Sequence, residues 1–196
     1  NPQNEAPGAD DNGSGSCAVL EAARLLAGRP SDYTIYFLCV SAEEQGLVGS
    51  EHFAAQADAQ NLDIRAVLNL DMVGWNDPAG ADLWLEGFHN GVSSVWLMDL
   101  VGENGEAYAG LSVYQYPGEG FGSDHVPFHN HGYPAILSIE NEWDDYPCYH
   151  RTCDEADQID REFWRKITAA NVVSLAQLAQ VGGELGGISG TVSVDW

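Results

Sequence analysis

Lysine is almost absent from this chain: of its 7 basic residues only Lys166 is a lysine, and they face 30 acidic ones. The resulting formal charge of −23 leaves no positive surface to grip phosphate backbones, which excludes a nucleic-acid role. The same charge is repelled by anionic membranes. A Walker A phosphate loop is excluded as well, because Lys166 follows Arg165 and not a glycine. No apolar run approaches the roughly 18 residues that cross a bilayer, and no stretch has the pattern of a signal peptide. What is present argues against disorder: 44% of the residues are hydrophobic and 10% aromatic. A length of 196 residues suits one domain that buries roughly 70% of its unfolded surface. Acid-rich, lysine-poor surfaces suit concentrated salt and are also common on exported proteins, so a saline habitat is one expectation.

Both ends read as loop. Asn1-Pro2-Gln3-Asn4-Glu5-Ala6-Pro7-Gly8 opens the chain without a methionine, and Gly182-Gly183 through Gly186-Gly187 leads to Thr191-Val192-Ser193-Val194 like a linker entering a strand. The expectation is a piece of a longer protein, with a domain over 1–182 and a linker or further segment over 183–196. Of the 4 cysteines, Cys17 and Cys39 sit in apolar stretches and read as buried thiols. Cys148 and Cys153 flank a Tyr-His pair. They have metal-ligand spacing but no second pair to complete such a site, so a short disulfide loop and an oxidising compartment fit better.

Periodicity gives a coarse map. Residues 15–28 and 48–60 read as helices, as do 92–104 and 161–181. Tyr33 to Val40 and Ile64 to Met72 are near-continuous apolar, β-rich runs, the mark of strands buried on both faces. Leu83 to Leu85 and Pro134 to Ile139 read as two more strands. Alternating strands and helices imply an α/β fold whose mostly parallel sheet is covered on both faces. In such folds function gathers at the carboxyl ends of strands. There the chain places Ser41-Ala42-Glu43-Glu44, Asp71 and Glu140-Asn141-Glu142.

These acids have the right types for a metal site. Adjacent carboxylates such as Glu43 and Glu44 point in different directions, so one can bind a cation while the other serves as a base. Asp71 interrupts an apolar run, where a charge is costly unless paired or metal-bound, and few cations exist to pair it. His150 lies inside the proposed cysteine loop, which positions it better than a free histidine. Asp10 to Gly15 has EF-hand-like spacing, but Pro2, Pro7 and Gly8 preclude the incoming helix. The segment reads instead as a carboxylate held at a sharp turn before a helix.

Five motifs then occur in order: Pro7-Gly8-Ala9-Asp10-Asp11-Asn12-Gly13-Ser14-Gly15, Ser41-Ala42-Glu43-Glu44-Gln45-Gly46-Leu47-Val48-Gly49-Ser50, Asn69-Leu70-Asp71-Met72, Gly122-Ser123-Asp124-His125-Val126-Pro127-Phe128 and Cys148-Tyr149-His150-Arg151-Thr152-Cys153-Asp154. Together, over about residues 7–181, they closely resemble the bacterial double-zinc aminopeptidases of metallopeptidase family twenty-eight. The resemblance implies a three-layer exopeptidase-like sandwich that hydrolyses N-terminal peptide bonds through a metal-bridging water. It implies that Asp11 bridges two zincs, that Glu44 and His150 complete one site, and that Asp71 belongs to the other. It further implies Glu43 as general base, Tyr149 as oxyanion donor, Asp124 in the substrate pocket, a Cys148–Cys153 disulfide, and a cis peptide after Asp11; His125 lies next to the site in the family and reads either as a substrate contact or as a hydrogen-bonded structural histidine. The partners it implies are peptide or protein N-termini, met by a monomeric enzyme in a secreted or periplasmic setting.

One family feature is missing. The second zinc takes a histidine from an H-x-D motif upstream of the bridging aspartate, and none of residues 1–10 is histidine. A truncated fragment, a single-zinc relative and a noncatalytic homologue each account for that, with truncation expected from the ends. The rival activities are a glutaminyl-cyclase-like acyltransferase, which needs only Asp11, Glu44 and His150, and a carboxypeptidase-like branch, which would want more cations. A noncatalytic, calcium-buffering module is the rival from another class.

Overall fold

The strands are short, and their apolar residues alternate between two faces, which dictates where the helices lie. A computed structural model describes residues 7–76, 82–120, 122–141 and 143–182. In chain order its elements are α1 (Gly15–Leu26), α2 (Val48–Ala59), β1 (Val67–Leu70), β2 (Leu83–Glu86), β3 (Phe88–His89), β4 (Val92–Ser93), α3 (Val95–Asn104), β5 (Val113–Gln115), α4 (Val126–Asn130), β6 (Ala135–Glu140) and α5 (Arg161–Leu178). Four strands form a sheet in the order β1-β6-β2-β5, and β3 and β4 form a separate antiparallel pair. Within the sheet β1–β6 and β2–β5 are parallel while β2–β6 is antiparallel. This is the expected α/β architecture with a mostly parallel sheet.

β6 lies inside the sheet and is buried along its whole length. Ile136 joins Leu83, Leu85, Leu97, Val101, Phe163 and Ile167 in the core beneath α3 and α5. Its neighbours point the other way: Ala135 meets Ala54 of α2 and Phe128 of α4, and Leu137 and Ile139 meet Met72 and Tyr146. This period-two alternation with apolar residues on both sides demands helices on both faces. Asp160 starts α5 by accepting hydrogen bonds from the amides of Glu162 and Phe163, the usual work of an N-cap carboxylate.

Several expectations are corrected. Tyr33–Val40 is not a strand: Tyr36 is 60% exposed, and no backbone group of residues 34–40 bonds to another described residue. Composition favours extension, but a strand also needs a partner. The expected strand from Ile64 shortens to β1, and the helix expected from residue 92 starts at Val95 because Val92 and Ser93 pair with β3. β5 and α4 were not foreseen. Cys17 and Cys39 are exposed, not buried. α1 turns Ala18 and Ala22 inward, which leaves Cys17 outward, and Cys39 belongs to the unpaired run. Residues 1–6, Glu142 and the proposed linker over 183–196 lie outside the described residues.

Candidate metal centre

Three chain segments deliver the site. Asp11 lies in the turn before α1, and its peptide bond to Asn12 is cis. Asn12 ties this turn to the end of β1: its side-chain amide donates to the Leu70 carbonyl at 2.9 Å, and its side-chain oxygen accepts from the Gly15 amide at 2.9 Å. Gly15 is required there, because a Cβ would stand 2.1 Å from the Leu70 oxygen. Glu43 and Glu44 occupy a tight turn, closed by the Gly46 and Leu47 amides donating to the Glu43 carbonyl at 2.9 and 2.8 Å. His150 sits within the loop closed by the Cys148–Cys153 disulfide.

The ligand-capable atoms of Asp11, Glu44 and His150 all lie within 4.8 Å of one another. His150 Nε2 is 2.6 Å from a Glu44 oxygen and 3.1 Å from an Asp11 oxygen. Asp71 and Glu43 stand close enough to act electrostatically on Asp11 but are not part of this three-way convergence. Asp71 accepts a hydrogen bond from the Ser123 hydroxyl at 2.6 Å.

No lysine or arginine offsets this charge among the described ion pairs: Arg24, Arg65 and Arg165 pair with Glu21, Asp63 and Glu162. Burial, followed by the charges of Asp71 and Glu44, pushes the Asp11 carboxyl up to about 8. Burial and Asp71 push Glu43 to about 7, and burial raises Asp71 to about 6 despite its bond to Ser123. Two carboxylates and one imidazole converging without a counter-cation form a donor set suited to zinc.

These shifts set a pH dependence for the metal-free chain. Asp11 and Glu43 hold protons in the folded state that ordinary carboxylates have already released. The stability this confers is present at low pH and lost as pH rises through 7 and 8. Burial pushes the His125 imidazole down to about 3, an opposing effect confined to pH below its unfolded value near 6.5. With chelator present, the melting temperature is expected to fall between pH 6.5 and 8.5; a flat or rising profile contradicts the assignment.

A second layer holds the candidate ligands, and sequence reasoning gave Asp154, Asn69 and Ser123 no individual role in it. Asp154, 2% exposed, accepts from the Asp10 amide at 2.9 Å, the Asp11 amide at 3.0 Å and the Tyr146 hydroxyl at 2.8 Å. Ser123 links Asp71 to Asn69, whose side-chain amide donates to the Ser123 hydroxyl at 2.9 Å. Beneath lie Asp10 and Glu140, both fully buried. Burial beside the Asp10 charge holds Glu140 well above the usual carboxylate range; Glu140 accepts from the Trp75 amide at 2.7 Å and Asp10 from the Gly74 amide at 2.8 Å. Outer-layer partners typically tune metal affinity by about 10–100-fold. Ser123→Ala is therefore expected to weaken zinc binding in a chelator competition by a factor in that range, and an unchanged affinity would remove Asp71 from the metal centre.

The Tyr149 ring stacks on His150 with centroids 3.9 Å apart, and burial beside Asp11 and Glu44 pushes its hydroxyl up to about 12, so it stays protonated. Asp124 accepts from the Ser50 hydroxyl at 2.5 Å and lines the same cavity as Asp11, Glu43, Glu44 and Asp71. His125 does not join it. It is 1% exposed and packs edge-on against His129 at 5.7 Å, the surroundings that the structural alternative for this histidine calls for.

A family model described as Peptidase family M28 matches residues 2–175. The chain belongs to this family. Within Peptidase family M28 it is similar to the aminopeptidase YwaD of Bacillus subtilis, at 35% identity over 164 residues that cover 80% of this chain and 34% of that protein. Its structure is similar to that of BSAP, a zinc aminopeptidase from Bacillus subtilis, with TM-score 0.78, 30% identity and coverage of 93% of this chain and 44% of that one. A glutaminyl cyclase from Porphyromonas gingivalis is similar at TM-score 0.69 and 25% identity, covering 88% and 64%. The chain thus spans about a third of YwaD and under half of BSAP.

Proposed function

We propose that this chain is the catalytic part of a zinc-dependent aminopeptidase that acts on free peptide N-termini outside the reducing cytosol. The observation that carries the reading is the convergence of Asp11, Glu44 and His150, with Glu43 next to them but free of the cluster. Asp11, Glu44 and His150 would hold one zinc, and Asp11 with Asp71 would supply part of a second site. Zinc held there would supply a Lewis acid for the scissile carbonyl and would lower the pKa of the attacking water.

The remaining steps belong to the chain's own side chains. A carboxyl pushed to about 7 suits Glu43 to take a proton from the attacking water near neutral pH and to pass it to the departing amine. Protonated Tyr149 donates a hydrogen bond to the oxygen on which negative charge develops. Asp124, with Glu43, presents negative charge to a substrate ammonium, which restricts cleavage to the first residue.

The test measures zinc content and hydrolysis of leucine p-nitroanilide against its N-acetylated form. We expect one firmly bound zinc in the 196-residue chain and two in the parent protein, which cleaves only the free-amine substrate. Equal cleavage of the blocked substrate, or no zinc in either protein, overturns the reading. The three-ligand set also suits a single-zinc cyclase like the Porphyromonas gingivalis neighbour. Ammonia release from an N-terminal glutaminyl peptide, with one zinc in the parent, would favour that alternative.

A further inference from the structure

Successive side chains of β2 point to opposite faces of the sheet. Leu83 and Leu85 enter the core beneath α3 and α5, so Trp84 and Glu86 emerge on the other face. β5 runs parallel beside it with Trp84 opposite Tyr114. The rings of Tyr114 and Tyr116 pack on the Trp84 indole, with centroids 4.7 and 5.3 Å away. On this face, apart from the cavity lined by Asp11, Glu44 and Asp71, lies a second one of about 300 Å³. Its walls are aromatic, from Trp84, Tyr116 and Trp143, and its charged groups are the acids Glu86, Glu119 and Asp144. No lysine, arginine or histidine is among the described residues that line it. Glu119 and Asp144 are exposed, whereas Glu86 is only 2% exposed. The Trp84 indole N–H donates to the Glu86 carboxylate at 3.1 Å. Gly120 makes room for that group, because a Cβ there would run into its other oxygen.

We propose that this cavity receives the side chain of the substrate's first residue and selects a basic one, lysine or arginine, with Glu86 as the specificity-determining residue. This rests on the aminopeptidase reading and adds a substrate class to it. The lining argues against an apolar occupant. A leucine side chain would gain the rings but would cut the Glu86 carboxylate off from water and put nothing polar in its place, which is costly. A basic side chain satisfies both parts of the wall. Its methylene stem lies along the rings while its charged head meets the carboxylates, and the faces of tryptophan and tyrosine attract the cation as well. The position agrees with the chemistry. Trp143 lines the cavity and packs edge-on against Tyr149 at 5.7 Å, and Tyr149 in turn stacks on His150. Trp84, Trp143 and Tyr149 also pack against one buried cluster that includes Met72, Leu137 and Ile139. A side chain in the cavity therefore lies one ring away from the hydroxyl proposed to face the scissile carbonyl. Two sets of acids then divide the substrate's positive charges: Asp124 and Glu43 take the α-ammonium, and Glu86 with Glu119 and Asp144 takes the side chain.

Lysine and norleucine share a four-carbon stem and differ by the ammonium group, so their p-nitroanilides isolate the charge. With the zinc-loaded parent protein, kcat/KM should be at least about tenfold higher for the lysine substrate, and added salt should narrow the gap. Glu86→Gln keeps the shape and an acceptor for the Trp84 indole, and should lower the lysine-to-norleucine ratio by about tenfold or more. Because a change at a buried position can disturb folding, Glu119→Gln combined with Asp144→Asn, both exposed, provides an independent variant. It should lower the same ratio by about two- to fivefold. Binding without turnover gives a second readout through Trp84 and Trp143: lysinamide should change tryptophan fluorescence at concentrations at least about tenfold below those norleucinamide requires. Equal rates and equal binding for the two side chains overturn the proposal. A preference for lysine at the second residue of a dipeptide, and not the first, overturns it too. Failure to cleave any free-amine substrate is a different result, which sinks the aminopeptidase reading and this proposal with it.

Discussion

Glu43→Gln is expected to lower the rate of N-terminal residue release by the parent protein about 10²–10⁴-fold, with zinc content unchanged. The amide has the same shape and similar polarity but cannot accept a proton. Glu43 is absent from the three-way convergence of Asp11, Glu44 and His150, so its loss should leave those ligands in place. Steady-state kinetics on leucine p-nitroanilide, paired with metal analysis of the same sample, check both halves. A parallel loss of zinc would make Glu43 a ligand and not a base. Glu44→Gln serves as the contrast, since there zinc and activity should fall together.

Asp154→Ala is expected to be the most destabilising single change near the site. The buried carboxylate accepts three hydrogen bonds, two from the backbone on either side of the Asp10–Asp11 link and one from Tyr146. Alanine would leave three donors stranded at about 1–3 kcal/mol each, a total of about 3–9 kcal/mol. For a chain of this size that corresponds to a fall in melting temperature of at least about 6 °C, and of more than about 15 °C at the upper end. Differential scanning calorimetry reads it directly. A fall of less than about 3 °C would mean that water replaces the carboxylate and that Asp154 does not hold the Asp11 turn.

The readable parts of this molecule were those encoded by neighbours in sequence. Each ligand-bearing segment is a local turn: Asn12 with Gly15, Gly46 and Leu47 closing on Glu43, and His150 inside a six-residue bridge. Such segments keep their signature even though the three ligands are far apart in the chain. The supporting layer is different. Asp154 reaches back 143 residues to Asp11 and Ser123 reaches 52 residues to Asp71, and one aspartate or serine among many carries no mark of that duty. Tyr33–Val40 failed for a related reason, because a β-rich run shows willingness to extend but cannot show whether a neighbour is there. β5 has three residues and α4 five, too few to display a period. The exposure of Cys17 was within reach, since the phase that buries Ala18 and Ala22 already turns position 17 outward.

The bridge between Cys148 and Cys153 has a consequence for where this protein can operate. It encloses Tyr149 and His150, so a reductant that opens it frees the proposed metal ligand and its stacked neighbour at once. A closed loop of this length restricts the unfolded chain by about 2 kcal/mol, and that restraint falls on the segment that presents the imidazole. Made in a reducing compartment, the chain would carry His150 on an open segment and hold its metal loosely. The same polypeptide delivered to an oxidising one would lock the ligand in place. The redox state of the compartment would then act as a safety catch on the segment that presents His150.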